Sequence, residues 1–193
     1  MRRHKCAEYA SLEIPKVSMS MQQKVAVLVR DDYQDLEFWY TVLRLREEGM
    51  PVTVVGAEPD RVYLSKLKYP VIPDIGISDA QAKDFSAVIV PGGGTAGQIA
   101  VDPRMLRFIA ESTHANALLG ATAGGVRVLA AAGVLAGKRV AAHEEMGDEL
   151  RRVDAVCVGQ PVVTDVRLIT ARSTNDLPEF GRALFGAFAT AKQ

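Results

Sequence analysis

The strongest candidate for acid–base chemistry in this sequence is a glutamate in an apolar setting. Glu37 stands among Leu36, Phe38 and Trp39, where a solvated carboxylate is not expected. Burial disfavours the charged form of a carboxyl group, so a buried Glu37 would serve as a proton donor. The competing interpretation is an exposed glutamate in the first turn of a helix, where the helix dipole favours a negative charge.

A glycine-rich run over residues 91–97, Pro-Gly-Gly-Gly-Thr-Ala-Gly, is the second candidate. Its backbone amides could approach an oxyanion or a phosphate, because glycine accepts positive φ and carries no side chain. The run matches neither the Walker spacing with its lysine nor the dinucleotide fingerprint with a following acid. A tight turn between a strand and a helix explains the run equally well.

The cysteines and most histidines form no constellation. Cys6 and Cys157 make neither a disulfide framework nor a metal-ligand pattern, so we expect no metal and no cofactor. Cys157 lies in the apolar run 156–158 and is interpreted as a small buried hydrophobe. His114 stands apart from other reactive side chains, and we assign it no role.

Elements that would position these residues follow from the apolar pattern. From Lys24 onward, short apolar runs alternate with stretches of helical period, which predicts an α/β fold. We expect a three-layer sandwich, with a mostly parallel, flavodoxin-like sheet covered by helices on both faces. The predicted strands cover residues 25–29, 52–55, 87–90, 117–121, 140–142, 161–163 and 168–170, and residues 156–158 are strand-like. The prolines of residues 69–74 indicate an edge strand or an extended loop. The predicted helices cover residues 36–49, 103–112, 126–132, 147–153 and 178–189.

The first helix also has a predicted buried face. Leu36, Tyr40, Leu43 and Leu45 recur at helical spacing and are expected to face the core. Ligands of open parallel sheets bind beyond the carboxyl ends of the strands. The segments 30–37, 91–97 and 121–125 are therefore expected to converge on one crevice.

Length and charge limit the remaining possibilities. A chain of 193 residues fits one domain over residues 24–193, preceded by a flexible tail over residues 1–23. Lys plus Arg and Asp plus Glu both number 23, so no overall field attracts nucleic acid or an anionic membrane. No apolar run approaches the roughly 20 residues that span a bilayer. We expect a cytoplasmic protein, because cysteines are scarce and no signal sequence is recognisable.

Seven segments occur in an order and spacing typical of one family. They are 31–37 (DDYQDLE), 45–49 (LREEG), 87–93 (AVIVPGG), 130–135 (AAAGVL), 148–150 (DEL), 161–163 (PVV) and 168–178 (LITARSTNDLP). On these segments the chain resembles the ThiJ/PfpI superfamily of class I glutamine-amidotransferase-like domains, and within it the PfpI-like branch. The resemblance extends from Lys24 to Ala189.

The resemblance implies a cysteine nucleophile that this chain lacks. Active relatives carry a cysteine on a strained strand-to-helix elbow beside a buried glutamate, where neighbouring donors favour the thiolate. Carried onto this sequence, the cysteine position is Ala123 and the next position, histidine in the PfpI-like branch, is Gly124. An acid supplied by a neighbouring subunit falls on Gly97. The joint absence of three partners indicates loss of cysteine-dependent catalysis.

The same resemblance implies that other residues of the family's site are present in this chain. Glu37 corresponds to the buried glutamate, and Gly92, Gly93 and Gly125 correspond to the oxyanion pocket and the elbow glycine. The full set of expected ligand-binding residues is Gly92, Gly93, Gly94, Thr122, Gly124 and Gly125. Thr122 is expected to point to the opposite side of its strand from Ala123.

His143 stands where the family usually has a tyrosine that lines the site. A neutral histidine there could act as a base on a bound water, with Glu37 or Glu144 nearby. A histidine on the surface or at an interface is the alternative interpretation.

Two functions follow from the resemblance. The first is an atypical family member without cysteine-dependent catalysis, kept as a small-molecule-binding or stress-response scaffold. The alternative is an active hydrolase, lyase or protein-repair enzyme (deglycase, glyoxalase or peptidase-like) that uses Glu37 and His143 with water. A third possibility is that residues 1–23 order on a partner. The resemblance also implies a homodimer.

Overall fold

The computed structural model describes residues 24–190, so the predicted tail lies outside the described residues. The strands are β1 (Val25–Val29), β2 (Val52–Gly56), β3 (Tyr63–Leu64), β4 (Pro70–Val71), β5 (Ile75–Gly76), β6 (Ala87–Val90), β7 (Leu118–Thr122), β8 (Arg139–Ala141), β9 (Val156–Val158), β10 (Val162–Asp165) and β11 (Leu168–Ala171). The α-helices are α1 (Asp35–Glu47), α2 (Gly94–Ile99), α3 (Pro103–His114), α4 (Gly125–Ala131), α5 (Gly147–Arg152) and α6 (Leu177–Thr190).

A seven-stranded sheet forms the centre of the fold. Its strand order is β10-β11-β7-β6-β1-β2-β5, and the pairs are parallel except for the antiparallel edge pair β10–β11. Two small sheets, the antiparallel pair β3–β4 and the parallel pair β8–β9, lie outside it. The predicted α/β class and mostly parallel sheet are confirmed. β3, β5 and α2 were not predicted, because each is only two to six residues long.

Helices cover both faces of the sheet, as expected for three layers. One hydrophobic cluster packs α3 and α4 against the sheet through residues such as Phe108 and Leu129. The second packs α1 and α6 against the opposite face through Phe38, Leu45 and Phe180. Both faces of the central strands are therefore apolar, which explains their continuous valine-rich runs.

The predicted buried face of α1 was wrong in part. Leu36 and Leu43 are 61% and 57% exposed, whereas Leu45 is fully buried. The helix turns Glu37, Phe38, Thr41, Val42 and Leu45 inward. Phe38, Val42 and Leu45 lie on one side at helical spacing and fill the second cluster, so Leu36 and Leu43 are left on the outer side.

The β3–β4 hairpin is tied to the loop that follows β1. The buried Tyr33 hydroxyl donates to the Tyr69 carbonyl at 2.7 Å. Burial raises the pKa of Tyr33, so the side chain remains a neutral donor at neutral pH.

Within residues 24–190, no helix is both long enough and apolar enough to cross a membrane.

Candidate functional site

Loops at the carboxyl ends of neighbouring strands meet at one edge of the sheet. The N–H of Arg30, after β1, donates to Thr95 Oγ1 in the segment after β6 at 2.7 Å. Tyr33 and Gly93 form an antiparallel bridge between the same two segments. β6 pairs directly with β7, so the segment after β7 begins beside them. The three predicted segments therefore meet at this edge, which we call the carboxyl edge.

Glu37 lies at the centre of this edge. It is 3% exposed, and its N–H donates to Gln34 Oε1 at 2.8 Å as part of the N-cap of α1. One carboxylate oxygen, Oε2, accepts from the Gly92 N–H at 2.7 Å and from Thr122 Oγ1 at 2.5 Å. The other, Oε1, accepts from Thr174 Oγ1 at 2.8 Å. The burial expected for Glu37 is therefore observed, and both oxygens are hydrogen-bonded.

Ala123 forms the elbow between β7 and α4. Its φ is 45°, in the left-handed region that disfavours residues with a Cβ. The Ala123 N–H donates to the Ala171 carbonyl at 2.9 Å, which anchors the elbow to β11. A Cβ on Gly125 would lie 2.2 Å from the Val90 carbonyl oxygen, so only glycine fits there. The strained elbow is present, and its central side chain is a methyl group.

The loop after β6 approaches the elbow closely. A Cβ on Gly92 would lie 2.6 Å from Glu37 Oε2 and 3.1 Å from the Gly124 N. Gly93 has a φ of 91°, which glycine tolerates without strain. Within residues 24–190, the N–H groups of Gly93 and Gly124 donate to no protein acceptor. These two amides could therefore donate to an oxyanion of a ligand.

A cavity of about 530 Å³ opens next to the elbow. Small residues dominate its lining, which comprises Gly93, Gly94, Ala96, Gly97, Ala100, Gly124, Arg127, Ala130, Ala131, Glu149 and Val153. A Cβ on Gly97 would meet no atom within 4 Å, and one on Gly124 would meet only Ala96 Cβ at 3.6 Å and the Gly93 oxygen at 3.9 Å. A side chain at position 97 would therefore enter open space, and one at position 124 would begin with ordinary contacts only.

A second buried carboxylate, Asp102, is held in a different way. Its Oδ2 accepts from Arg30 at 2.8 Å and from Arg104 at 3.1 Å, and its Oδ1 caps α3 through the Arg104 N–H. Burial alone would raise the pKa of Asp102, but the hydrogen bonds and charges of Arg104 and Arg30 outweigh it and lower that pKa. Asp102 also raises the pKa of Arg104. This network fastens the end of β1 to the start of α3.

Comparison with known proteins shows which family has this architecture. The sequence model of the DJ-1/PfpI family matches residues 23–187. The chain belongs to the DJ-1/PfpI family. An uncharacterized protein of Archaeoglobus fulgidus is 29% identical over 157 residues, which cover 81% of this chain and 93% of that protein. Protein/nucleic acid deglycase 2 of Escherichia coli is 27% identical over 164 residues, which cover 84% of this chain and 95% of the deglycase.

A solved structure agrees with the family match. A two-domain protein of Anabaena variabilis, containing DJ-1/ThiJ/PfpI-like and ferritin-like domains, superposes with a TM-score of 0.83 at 27% identity. The superposition covers 86% of this chain and 50% of that protein. This chain thus corresponds to half of the two-domain protein, and the match confirms the α/β fold with its parallel sheet.

His143 has the exposure of a surface histidine, which was the alternative interpretation of this residue, and Thr122 is buried. His143 is exposed, and the hydrogen bonds recorded for Glu37 within residues 24–190 do not include it. Its role as a partner of Glu37 stays a prediction without a supporting contact. Thr122 is fully buried and its hydroxyl donates to Glu37, so its role in binding a ligand also stays a prediction.

Thr174 is the site residue that sequence reasoning missed. It follows β11 and is 137 positions from Glu37, so no local spacing connects the two. Only its place in the segment 168–178, which carries part of the DJ-1/PfpI resemblance, could have pointed to it.

In the described residues, no group of three His, Cys, Asp or Glu side chains is arranged to hold a metal ion.

Proposed function

We propose that this DJ-1/PfpI protein binds a small molecule at the carboxyl edge without cysteine-dependent catalysis, as a ligand-binding or stress-response scaffold. The observation that carries the proposal is Ala123. The elbow keeps its left-handed backbone conformation, with a φ of 45°, yet presents a methyl group where the resemblance places the nucleophile. Removing the nucleophile of a comparable catalytic unit lowers the rate by about a millionfold.

Cys157, the one cysteine within residues 24–190, does not replace the missing thiol. Cys157 in β9 is only half-buried, so the expected full burial was wrong, and its Sγ donates to the Ala142 carbonyl at 3.6 Å. β9 belongs to the small β8–β9 sheet and not to the strands that end at the elbow. Binding is supported by the free amides of Gly93 and Gly124 and by the neighbouring cavity of about 530 Å³.

A thermal-shift screen tests the proposal. The panel contains small aldehydes, α-keto acids, amino acids, nucleotides and short peptides. A ligand at about one hundred times its Kd adds about 2.7 kcal/mol to the free energy of unfolding, which gives a readily measured rise in Tm. The matched variants are Gly124→Leu, which fills the cavity, and Gly124→Ala, whose Cβ makes only ordinary contacts.

We expect a ligand shift in the wild type and in Gly124→Ala, and its loss in Gly124→Leu. The backbone of Gly124 is right-handed helical, so either side chain is accepted without strain. A shift that survives in Gly124→Leu would place binding elsewhere on the chain. The absence of any shift across the panel would count against small-molecule binding and leave a protein-interaction scaffold.

Enzymatic activity is a second candidate, favoured by the similarity to the Escherichia coli deglycase. In that case Glu37 and His143 would act with water on a glycated or carbonyl substrate. The test is release of the free amine from a glycated peptide by the wild type, Glu37→Gln, His143→Ala and Cys157→Ala. Turnover lost in the first two variants and kept in Cys157→Ala would support this function, and no turnover would exclude it.

We also propose a homodimer, as the family resemblance implies. Exposed apolar side chains cluster on and near the β3–β4 hairpin, including Leu67, Tyr69 and Ile72. A clustered apolar surface is typical of an interface between subunits. Sedimentation equilibrium of the wild type and of Ile72→Lys checks this, because a dimer through this surface would dissociate in the variant and a dimer through another surface would not.

A further inference from the structure

We propose that Glu37 is a positioning residue that clamps the carboxyl edge together, and that Thr174 is an essential part of the clamp. This inference goes beyond ligand binding and does not depend on it. It rests on the three hydrogen bonds to the Glu37 carboxylate, from the Gly92 N–H, Thr122 Oγ1 and Thr174 Oγ1. A carboxylate only accepts hydrogen bonds, and here each oxygen already has a donor from the protein.

Glu37 and its three partners lie at the ends of four neighbouring strands of the sheet. Glu37 is in the helix after β1, Gly92 follows β6, Thr122 ends β7 and Thr174 follows β11. These strands are neighbours in the order β11-β7-β6-β1. One side chain therefore joins the carboxyl ends of all four strands, each of which otherwise continues into a separate loop or helix.

Burial makes this clamp effective. Glu37 is 3% exposed, Thr122 is fully buried, and the hydrogen bond to Gly92 is buried as well. Water cannot replace the lost partner when one of these groups is removed, so the remaining groups are left unsatisfied. The Gly92 amide and the Thr122 hydroxyl lie directly before Gly93 and Ala123, so the clamp fixes both sides of the elbow.

The clamp explains why the glutamate persists beside an alanine. A proton donor to a cysteine has no purpose at Ala123, whereas a residue that positions Gly92 and Thr122 is needed whatever side chain stands on the elbow. Glu37→Gln should then preserve the site, since the amide oxygen can accept from Gly92 and Thr122 and the amide N–H can donate to Thr174 Oγ1. A chemical role for Glu37 would not survive that substitution.

Amide hydrogen exchange of the ligand-free protein, followed residue by residue by NMR, tests the clamp. In Glu37→Leu we expect the amide of Gly92 to exchange about tenfold faster or more, because its acceptor at 2.7 Å is gone and only the longer bond to Thr122 Oγ1, at 3.3 Å, remains. Glu37→Gln should remain within about threefold of the wild type. Thr174→Val should accelerate exchange at the same amide, and Thr174→Ser, which keeps the hydroxyl, should restore it.

Global destabilisation is controlled with Ile109→Val, a core substitution in α3 on the opposite face of the sheet. The proposal is overturned if Gly92 exchanges no faster in Thr174→Val than in Ile109→Val at matched global stability. It is also overturned if Glu37→Gln accelerates exchange as much as Glu37→Leu. Because the threonine pair and Glu37→Gln are conservative, the test stands even where Glu37→Leu does not fold.

Discussion

Two buried carboxylates lie near the same edge of the sheet and are held by opposite means. Asp102, 8% exposed, is paired with the guanidinium groups of Arg30 and Arg104. Glu37, 3% exposed, accepts only from neutral donors, the Gly92 amide and two threonine hydroxyls. The first carboxylate depends on its charge, whereas the second depends on the number and placement of its acceptor atoms.

This difference separates two functions of a buried acid. Charges buried as a pair are costly to break, because the partner is left without a counter-charge. A carboxylate among neutral donors can be replaced by an amide of the same shape with little loss, because the amide also offers an acceptor. The contrast therefore predicts how each site responds to the removal of a charge, of a whole side chain or of the space around it.

The largest effect is expected for Asp102→Ala, at about 3 kcal/mol of stability lost. The substitution removes the N-cap of α3 and leaves Arg30, which is 20% exposed, without its partner. Asp102→Asn keeps the capping oxygen and should cost about 2 kcal/mol. Urea denaturation at pH 7 measures both, and wild-type stability of Asp102→Asn would contradict a role for the charge.

The second largest loss of stability is expected from crowding around Glu37. Gly92→Ala should cost about 2 kcal/mol, because the new Cβ would lie 2.6 Å from Glu37 Oε2 and displace the carboxylate. Gly97→Ala is the matched control, since its Cβ meets no atom within 4 Å and alanine favours helix α2 by about 1 kcal/mol. Equal melting temperatures for the two variants would show that the loop after β6 has more room than its contacts indicate.

Acid should distinguish the two carboxylates further. The pKa of Asp102 is lowered in the folded protein, so below the ordinary aspartate value of about 4 the unfolded chain takes up a proton before the folded one. The stabilisation from Asp102 is therefore present above that value and lost as the pH falls through the lower folded pKa. The stability difference between wild type and Asp102→Asn, measured by urea denaturation from pH 6 to pH 2.5, should shrink below about pH 4. A constant difference would contradict this assignment.

The sequence predicted the framework because its signals are local. The strand Val25–Val29 and the strand Ala87–Val90 have the predicted limits. Each is a continuous apolar run, the first bounded by Lys24 and Arg30 and the second by Ser86 and Pro91. The sequence predicted the buried face of α1 less well than it predicted the limits of these strands. Leu36 and Leu43 match the helical period, but which face is buried depends on where the sheet lies, and no local pattern contains that information.

The residues of the site were likewise predictable only where their signals are local. The burial of Glu37 and the elbow at Ala123 follow from neighbouring residues and from the family resemblance. Thr174 could not be found by spacing, because it is joined to Glu37 only when β11 takes its place beside β7. His143 has the residue type for catalysis, yet it is exposed and forms no hydrogen bond with Glu37.

The smallest effect is the one that tests the comparison most directly. Glu37→Gln should cost only about 0.5 kcal/mol, because the amide replaces each lost hydrogen bond and no cation is left unpaired. Urea denaturation beside Asp102→Asn, an identical change from acid to amide, provides the control. If Glu37→Gln costs as much as Asp102→Asn, the charge of Glu37 is needed for stability, and acceptor geometry alone does not hold the carboxyl edge together.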